Sequence, residues 1–360
     1  MYLNPSARTW TCKNPIDPKV LDFHRSLPEY AVTPLTPLCE LAKELGIGHV
    51  FVKDESNRFG LPAFKILGAS WAVYCAVCAK AGLPSTVSIE ELGQTAKAKG
   101  IRLVTCSEGN WGRSVARMGK YLGIDTTIYV PRYMDEATQV KIRSEGAIVE
   151  VVKGEYDDCI VVTREEADRT GALLVMDTSW EGYEKIPGWV TEGYSTMLME
   201  VDQQVAEAVS EPVTLAIASV GVGSWAHSVV AHFKSKELTA YVATVESTAA
   251  PCLNTSLNAG QIVPVETGET IMNGMNCGTV SSIAWSFLRD GVDASVVIPD
   301  IDAHEALLYL NNHGVSAGPC GAAPLVALLE LKEKSHLDLG PNSIVVLFCT
   351  EGAREYAIPY

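Results

Sequence analysis

The sequence predicts a two-lobed α/β protein with parallel or mostly parallel sheets flanked by helices. Short apolar, strand-like runs alternate with helical segments of about ten to fifteen residues, the pattern of βα units feeding a parallel sheet. A chain of 360 residues, 47% hydrophobic, is long and apolar enough for two lobes, each with its own core. Four loops that follow a strand or open a helix carry glycine, amide or thiol groups, at the positions where α/β proteins place ligands.

The elements follow in order. After Pro28 comes irregular chain, then a helix over 37–45 closed by Gly46 and Gly48. A strand over 49–53 ends at Asp54 and Glu55, a loop spans 56–62, and an Ala-rich helix spans 64–80. Strands at 102–106, 126–130, 147–152 and 173–176 then alternate with helices at 112–122, 135–145 and 155–169. One long helix is expected from 186 or 187 to 209, stopped before Pro212. A strand over 213–219, a glycine turn, a helix over 225–233 and a strand over 238–246 follow. Helices near 283–289, 301–311 and 319–334 precede a buried strand at 343–349.

Composition removes several function classes. Lys plus Arg total 28 against 43 Asp plus Glu, a net charge of −15, so there is no basic footprint for nucleic acid. No window of 18 consecutive apolar residues suggests a membrane span, and the polar start lacks a secretory core. The ten cysteines, several inside apolar runs, read as buried free thiols of a cytoplasmic protein. Cys75 and Cys78 form a CxxC inside an apparent helix with no second pair, so no metal site is expected. There is no HExxH. His24, His304, His313 and His336 read as surface or capping residues, and the spacing of His227 and His232 does not suit chelation.

The first candidate loop runs from Ser56 to Lys65. Lys65, between Phe64 and Ile66 at the start of an apolar helix, suits a Schiff-base lysine because desolvation and the helix N-terminus both lower its pKa. A snorkelling surface lysine fits the same pattern. The second loop, Ser107-Glu108-Gly109-Asn110-Trp111-Gly112, offers an amide and a carboxylate beside two glycines, and equally reads as an ordinary helix start. The third, Gly221-Val222-Gly223-Ser224-Trp225, could turn its amides onto a phosphate or be a generic turn. It is neither a P-loop nor a GxGxxG. Cys349-Thr350 after the last strand could face a heterocyclic nitrogen or be structural, and Asp177 heads a dense polar segment as a candidate pocket carboxylate.

Taken in this order, the loops resemble the fold type II, tryptophan synthase β subunit-like family of pyridoxal-phosphate enzymes. Within it the chain is most similar to the diaminopropionate ammonia-lyase branch. The resemblance lies in FHRSLPEYAVTPL (23–35), KDESNRFGLPAFKILGAS (53–70), DTSWEGYEKIPGWVTEGYSTM (177–197), TIMNGMNCG (270–278) and CTEG (349–352). It implies a large cofactor domain over 1–80 and 195–360, a small domain over 81–194, and pyridoxal 5'-phosphate in the cleft between them. Lys65 matches the internal-aldimine lysine, preceded by Phe64, and Asn110 the residue at the phenolic oxygen. Gly221, Val222, Gly223, Ser224 and Trp225 match the phosphate site, and Cys349 the residue at the pyridine nitrogen.

The implied reaction is α,β-elimination of 2,3-diaminopropionate to pyruvate and ammonia through an external aldimine and aminoacrylate. Lys65 is the implied base for an L-substrate, Glu108 for a D-substrate, and Asp177 a carboxylate at the substrate amine. A homodimer acting on a small amino acid in the cytoplasm is implied too. Three positions depart from the family. Its Asp-Gly-Asn-His-Gly becomes Glu108 to Gly112, with Trp111 for His adding bulk near the cofactor. Its Gly-Glu-Ser-Gly becomes Gly318-Pro319-Cys320-Gly321. These departures keep an alternative open: β-elimination or β-replacement on another β-substituted amino acid.

Overall fold

The computed structural model describes residues 1–12, 18–107, 109–235, 240–334 and 337–359. Contacts divide the chain into two compact units. One holds Met1–Leu21, Glu29–Phe64 and Tyr194–Tyr360; the other holds Asp22–Pro28 and Lys65–Gly193. Helix Lys65–Ala81, most of which lies within the 1–80 segment assigned to the large domain on sequence, falls by contacts in the second unit. It is buried on almost every side and packs against helices Asn110–Leu122 and Lys185–Gly193 of that unit.

Among the described residues the first unit carries a seven-stranded sheet. Its order is Tyr2–Leu3, Ala294–Ile298, Tyr241–Ser247, Leu215–Ser219, Ile344–Cys349, His49–Asp54, Leu35–Pro37. The five inner strands are parallel, and only the two short edge strands run antiparallel. Leu215–Ser219 and Ile344–Cys349 are buried along their whole length, as parallel strands covered on both faces must be. The chain moves outward from Leu215–Ser219 to Ala294–Ile298, then returns to set Ile344–Cys349 on the other side. That reversal brings the two following loops together, Ser219 Oγ lying 3.4 Å from Thr350 Oγ1.

The second unit repeats this logic with four parallel strands in the order Ile148–Val152, Thr126–Pro131, Leu103–Cys106, Leu173–Leu174. Its reversal lies between the last two. The loop after Cys106 therefore meets the segment after Leu174, Trp111 Nε1 donating to the Val175 carbonyl at 3.3 Å.

Several expectations are corrected. The single helix over 186–209 is two, Lys185–Gly193 and Ser195–Val209, in different units. Gly193 lies so close to the Leu67 carbonyl that no Cβ fits there. The strand at 173–176 stops at Leu174. Strand Ala294–Ile298 and helices Lys19–Ser26, Ile89–Ala98 and Cys252–Ala259 had not been expected. His24 is fully buried, its Nε2 at 3.0 Å from both the Leu67 carbonyl and Ser70 Oγ, and is no surface residue. His336 lies outside the described residues. No helix among them is long and apolar enough to cross a membrane.

A buried ionic network fixes the first unit's chain on its way to Lys65. Arg58 donates to both Glu55 oxygens at 2.7 and 2.6 Å, to both Glu200 oxygens at 2.8 and 2.7 Å, and to Thr33 Oγ1 at 2.9 Å. Lys53 Nζ reaches Glu200, Gln204 and the Thr33 carbonyl, each at 2.8 Å. Two cations and two carboxylates neutralise one another, which is how four charges can be dry together. Burial pushes the Glu200 carboxyl up, but the hydrogen bonds and charges of Arg58 and Lys53 outweigh it and hold it at about 2.

Glu200→Gln is therefore expected to cost roughly 3–5 kcal/mol at neutral pH, because it strands buried cations; urea unfolding measures it. The linkage has a definite sign. The Glu200 contribution is complete above its ordinary value of 4.5 and is lost as pH falls from there towards about 2. Thermal midpoints across that window should slope less steeply in Glu200→Gln than in the parent.

Candidate active site

Lys65 is the first residue of its helix, and its Nζ donates to Asp177 Oδ2 at 2.8 Å. The two side chains are 21% and 12% exposed, so this pair is sheltered yet reachable. Sequence reasoning listed both residues separately, and the second unit joins them.

The adjoining loop is built around Ser107, whose Oγ accepts from Gly109 N at 2.9 Å and Gly112 N at 2.7 Å. Gly109, at φ 151°, opens helix Asn110–Leu122, a conformation that other residues rarely adopt. Asn110 is half-buried, and its side-chain amide has no hydrogen-bond partner among the described residues, leaving it available to a ligand oxygen. Glu108 lies outside the described residues. Trp111 does not add bulk to an open site. Its indole is buried, with the N–H shared between Thr105 Oγ1 at 3.0 Å and the Val175 carbonyl.

In the first unit the glycine turn has the form of an anion cradle. Val220 N and the Val222 carbonyl are tied to Val245 and Ser281. The amides of Gly221, Val222 and Gly223 make no hydrogen bond among the described residues. They precede helix Ser224–Phe233, whose own first amides lack intrahelical acceptors. A Cβ on Gly221 would stand 3.0 Å from the Gly274 carbonyl, and one on Gly223 2.9 Å from Leu288 Cδ1. Gly223 also sits at φ 95°. A turn with bare amides and no room for side chains fits a phosphate group.

Trp225 and Phe64 belong to an aromatic cluster with Tyr194 and Phe348. The buried Trp225 Nε1 has no hydrogen-bond partner among the described residues, a second donor in need of an acceptor near the turn. The Cys349 thiol, wholly buried, donates to the Glu351 carbonyl at 3.3 Å. Burial, with Asp54 and Glu351 adding repulsion, pushes it well above the ordinary thiol range, so Cys349 is a neutral group.

Sequence reasoning missed two supports. Glu351 accepts from Cys320 N at 3.0 Å, capping helix Pro319–Glu333. Glu246 accepts from Leu253 N and Asn254 N at 2.7 Å each and so holds helix Cys252–Ala259, whose Cys252 thiol contacts the Gly221 carbonyl at 3.6 Å. Burial raises the Glu246 carboxyl to about 7. Only the isolation of these carboxylates beside apolar strands signalled either role.

Comparison with known proteins agrees with this chemistry. Residues 27–350 match the family described as pyridoxal-phosphate dependent enzyme. The diaminopropionate ammonia-lyase of Salmonella typhimurium is 35% identical, over 93% of this chain and 88% of that protein. The crystal structure of diaminopropionate ammonia lyase from Escherichia coli in complex with D-serine superposes with a TM-score of 0.89 at 30% identity, covering 98% of this chain and 93% of that one. The same enzyme in complex with an aminoacrylate-PLP azomethine reaction intermediate gives 0.85 at 30% identity, covering 98% and 91%. The chain is a member of the pyridoxal-phosphate-dependent enzyme family, of fold type II.

Proposed function

We propose that the protein catalyses pyridoxal-phosphate-dependent α,β-elimination of 2,3-diaminopropionate, consuming one water and yielding one pyruvate and two ammonia. The observation that carries this is Lys65 Nζ paired with the Asp177 carboxylate at 2.8 Å, in a chain similar to diaminopropionate ammonia-lyases along most of its length.

When bound, the cofactor supplies an electron sink for the carbon that loses its proton. The chain's residues supply the rest. Lys65 carries the cofactor and takes the Cα proton of an L-substrate at Nζ; Glu108 takes it from a D-substrate. Asp177 holds the β-ammonium group in the orientation for departure. The amides of Gly221 to Gly223, with Ser224, hold the phosphate. Asn110 donates to the ring oxygen. Cys349, kept neutral by burial, would face a bound cofactor's pyridine nitrogen with no charge to protonate it, which would favour elimination over transamination. A homodimer working in the cytoplasm completes this reading, and the family likeness supports both.

The second reading, another β-substituted amino acid as substrate, is favoured by one feature. Where relatives resemble Gly-Glu-Ser-Gly, this chain has Pro319 and a fully buried Cys320, and Glu351 caps the helix there. The polar groups offered to a substrate at that point therefore differ.

Purified enzyme should release two ammonia per pyruvate from diaminopropionate, and Lys65→Ala should release neither. Cofactor uptake without turnover on either isomer would favour the second reading. Asp177→Asn is expected to lower kcat by about 10²–10³ with the cofactor still bound. Gly223→Val should weaken cofactor binding at least about tenfold through positive φ and the Leu288 contact; fluorescence titration of cofactor-free protein measures this.

A further inference from the structure

Asp177 stands just beyond the end of a very short strand. Leu173–Leu174 pairs with Leu103 and Val104, and Val175 N makes the last sheet-like bond, to the Val104 carbonyl at 3.0 Å. Past that point the chain leaves the sheet, and the Leu174 carbonyl and Met176 N would both lack partners. A single side chain serves both. The Tyr183 hydroxyl donates to the Leu174 carbonyl at 2.8 Å and accepts from Met176 N at 3.0 Å. From the other side Trp111 Nε1 holds the carbonyl of the intervening Val175. Tyr183 is itself held: its ring stacks on Trp180 at 4.4 Å, and its amide donates to the Trp180 carbonyl at 2.9 Å.

Resting on the reading of Asp177 given above, we propose that Tyr183, assisted by Trp111, is the positioning residue that aims the Asp177 carboxylate at Lys65. A phenol suits this task because one hydroxyl both donates and accepts. Phenylalanine would keep the stack on Trp180 and leave two backbone groups unpaired, one and three residues before Asp177. The carboxylate would then lose its fixed bearing on Lys65, and displacements of about an ångström at a reacting group can cost on the order of 10²-fold in rate.

The test compares holoenzyme of the parent, Tyr183→Phe, Asp177→Asn and the double variant by kcat and KM, and by pH titration of the cofactor's visible absorbance band. Tyr183→Phe should lower kcat by roughly 10- to 100-fold, with less than about a twofold further loss in the Asp177→Asn background. Loss of the nearby carboxylate disfavours the protonated Lys65 nitrogen, so the titration midpoint should move down by about one pH unit. It should move the same way but by less in Tyr183→Phe than in Asp177→Asn, and no further in the double variant than in Asp177→Asn. Trp111→Phe should give the same non-additive pattern and covers the case in which Tyr183→Phe folds poorly. Equal losses from Tyr183→Phe with and without the Asp177 carboxylate, or an unshifted midpoint, would overturn the proposal. Absence of a visible band in the parent would instead strike the cofactor reading of Lys65. A band without turnover on diaminopropionate would strike only the substrate, since the midpoints still report the clamp.

Discussion

The ionic network of Lys53, Glu55, Arg58 and Glu200 is the constraint on which the first unit's contribution depends. Arg58 lies at 0% exposure and spends its guanidinium on two carboxylates, a threonine hydroxyl and the Ala31 carbonyl. Those bonds gather strand His49–Asp54, the loop that follows it and helix Ser195–Val209 onto one charged centre. Burial works against the Arg58 charge, and Glu55 and Glu200 more than offset that, so its pKa is held above the usual value. Lys53 goes the other way: burial lowers it, and its two carboxylate neighbours restore only part. Phe64, the last residue of this segment, donates its amide to the Thr350 carbonyl beside Cys349. Lys65 therefore begins its helix from a chain whose preceding residue is fixed.

The two sheets solve the same problem separately. In each, the chain reverses direction across a parallel sheet, and two loops open into the crevice left by that reversal. In the first unit the crevice gathers the glycine turn and Cys349; in the second it gathers Ser107, Gly109 to Gly112 and Asp177. Each unit thus contributes a chemically distinct set: bare amides and a neutral thiol from one, an amine, a carboxylate and an amide from the other. The amides suit an anion, and the amine–carboxylate pair suits proton movement at a carbon held nearby.

Much of this was legible in the sequence because the signals are local. Alternating apolar runs give strands and helices, glycine after a strand gives a turn with free amides, and a lysine opening an apolar helix stands out. Ser88 and Glu91 also announce helix Ile89–Ala98, since the Ser88 side chain accepts from Glu91 N. Reading by apolar period alone passed over that cap. Other features depend on partners far along the chain. Arg58 finds Glu200, 142 residues away. His24 is buried because Leu67 and Ser70 complete its bonding. Trp111 turns inward because Thr105 and Val175 accept its N–H, and residue type alone gives no hint of that direction. The break at Gly193 follows from close packing on Leu67, which leaves an unbroken helical pattern in the sequence.

The central claim is that Lys65, beside Asp177, is the residue that carries the cofactor. Borohydride reduction of cofactor-loaded enzyme followed by peptide mass mapping tests it most directly. A pyridoxyl group is expected on the peptide containing Lys65 and on no other. A label on another lysine, such as Lys53, or no label in loaded enzyme, would contradict it.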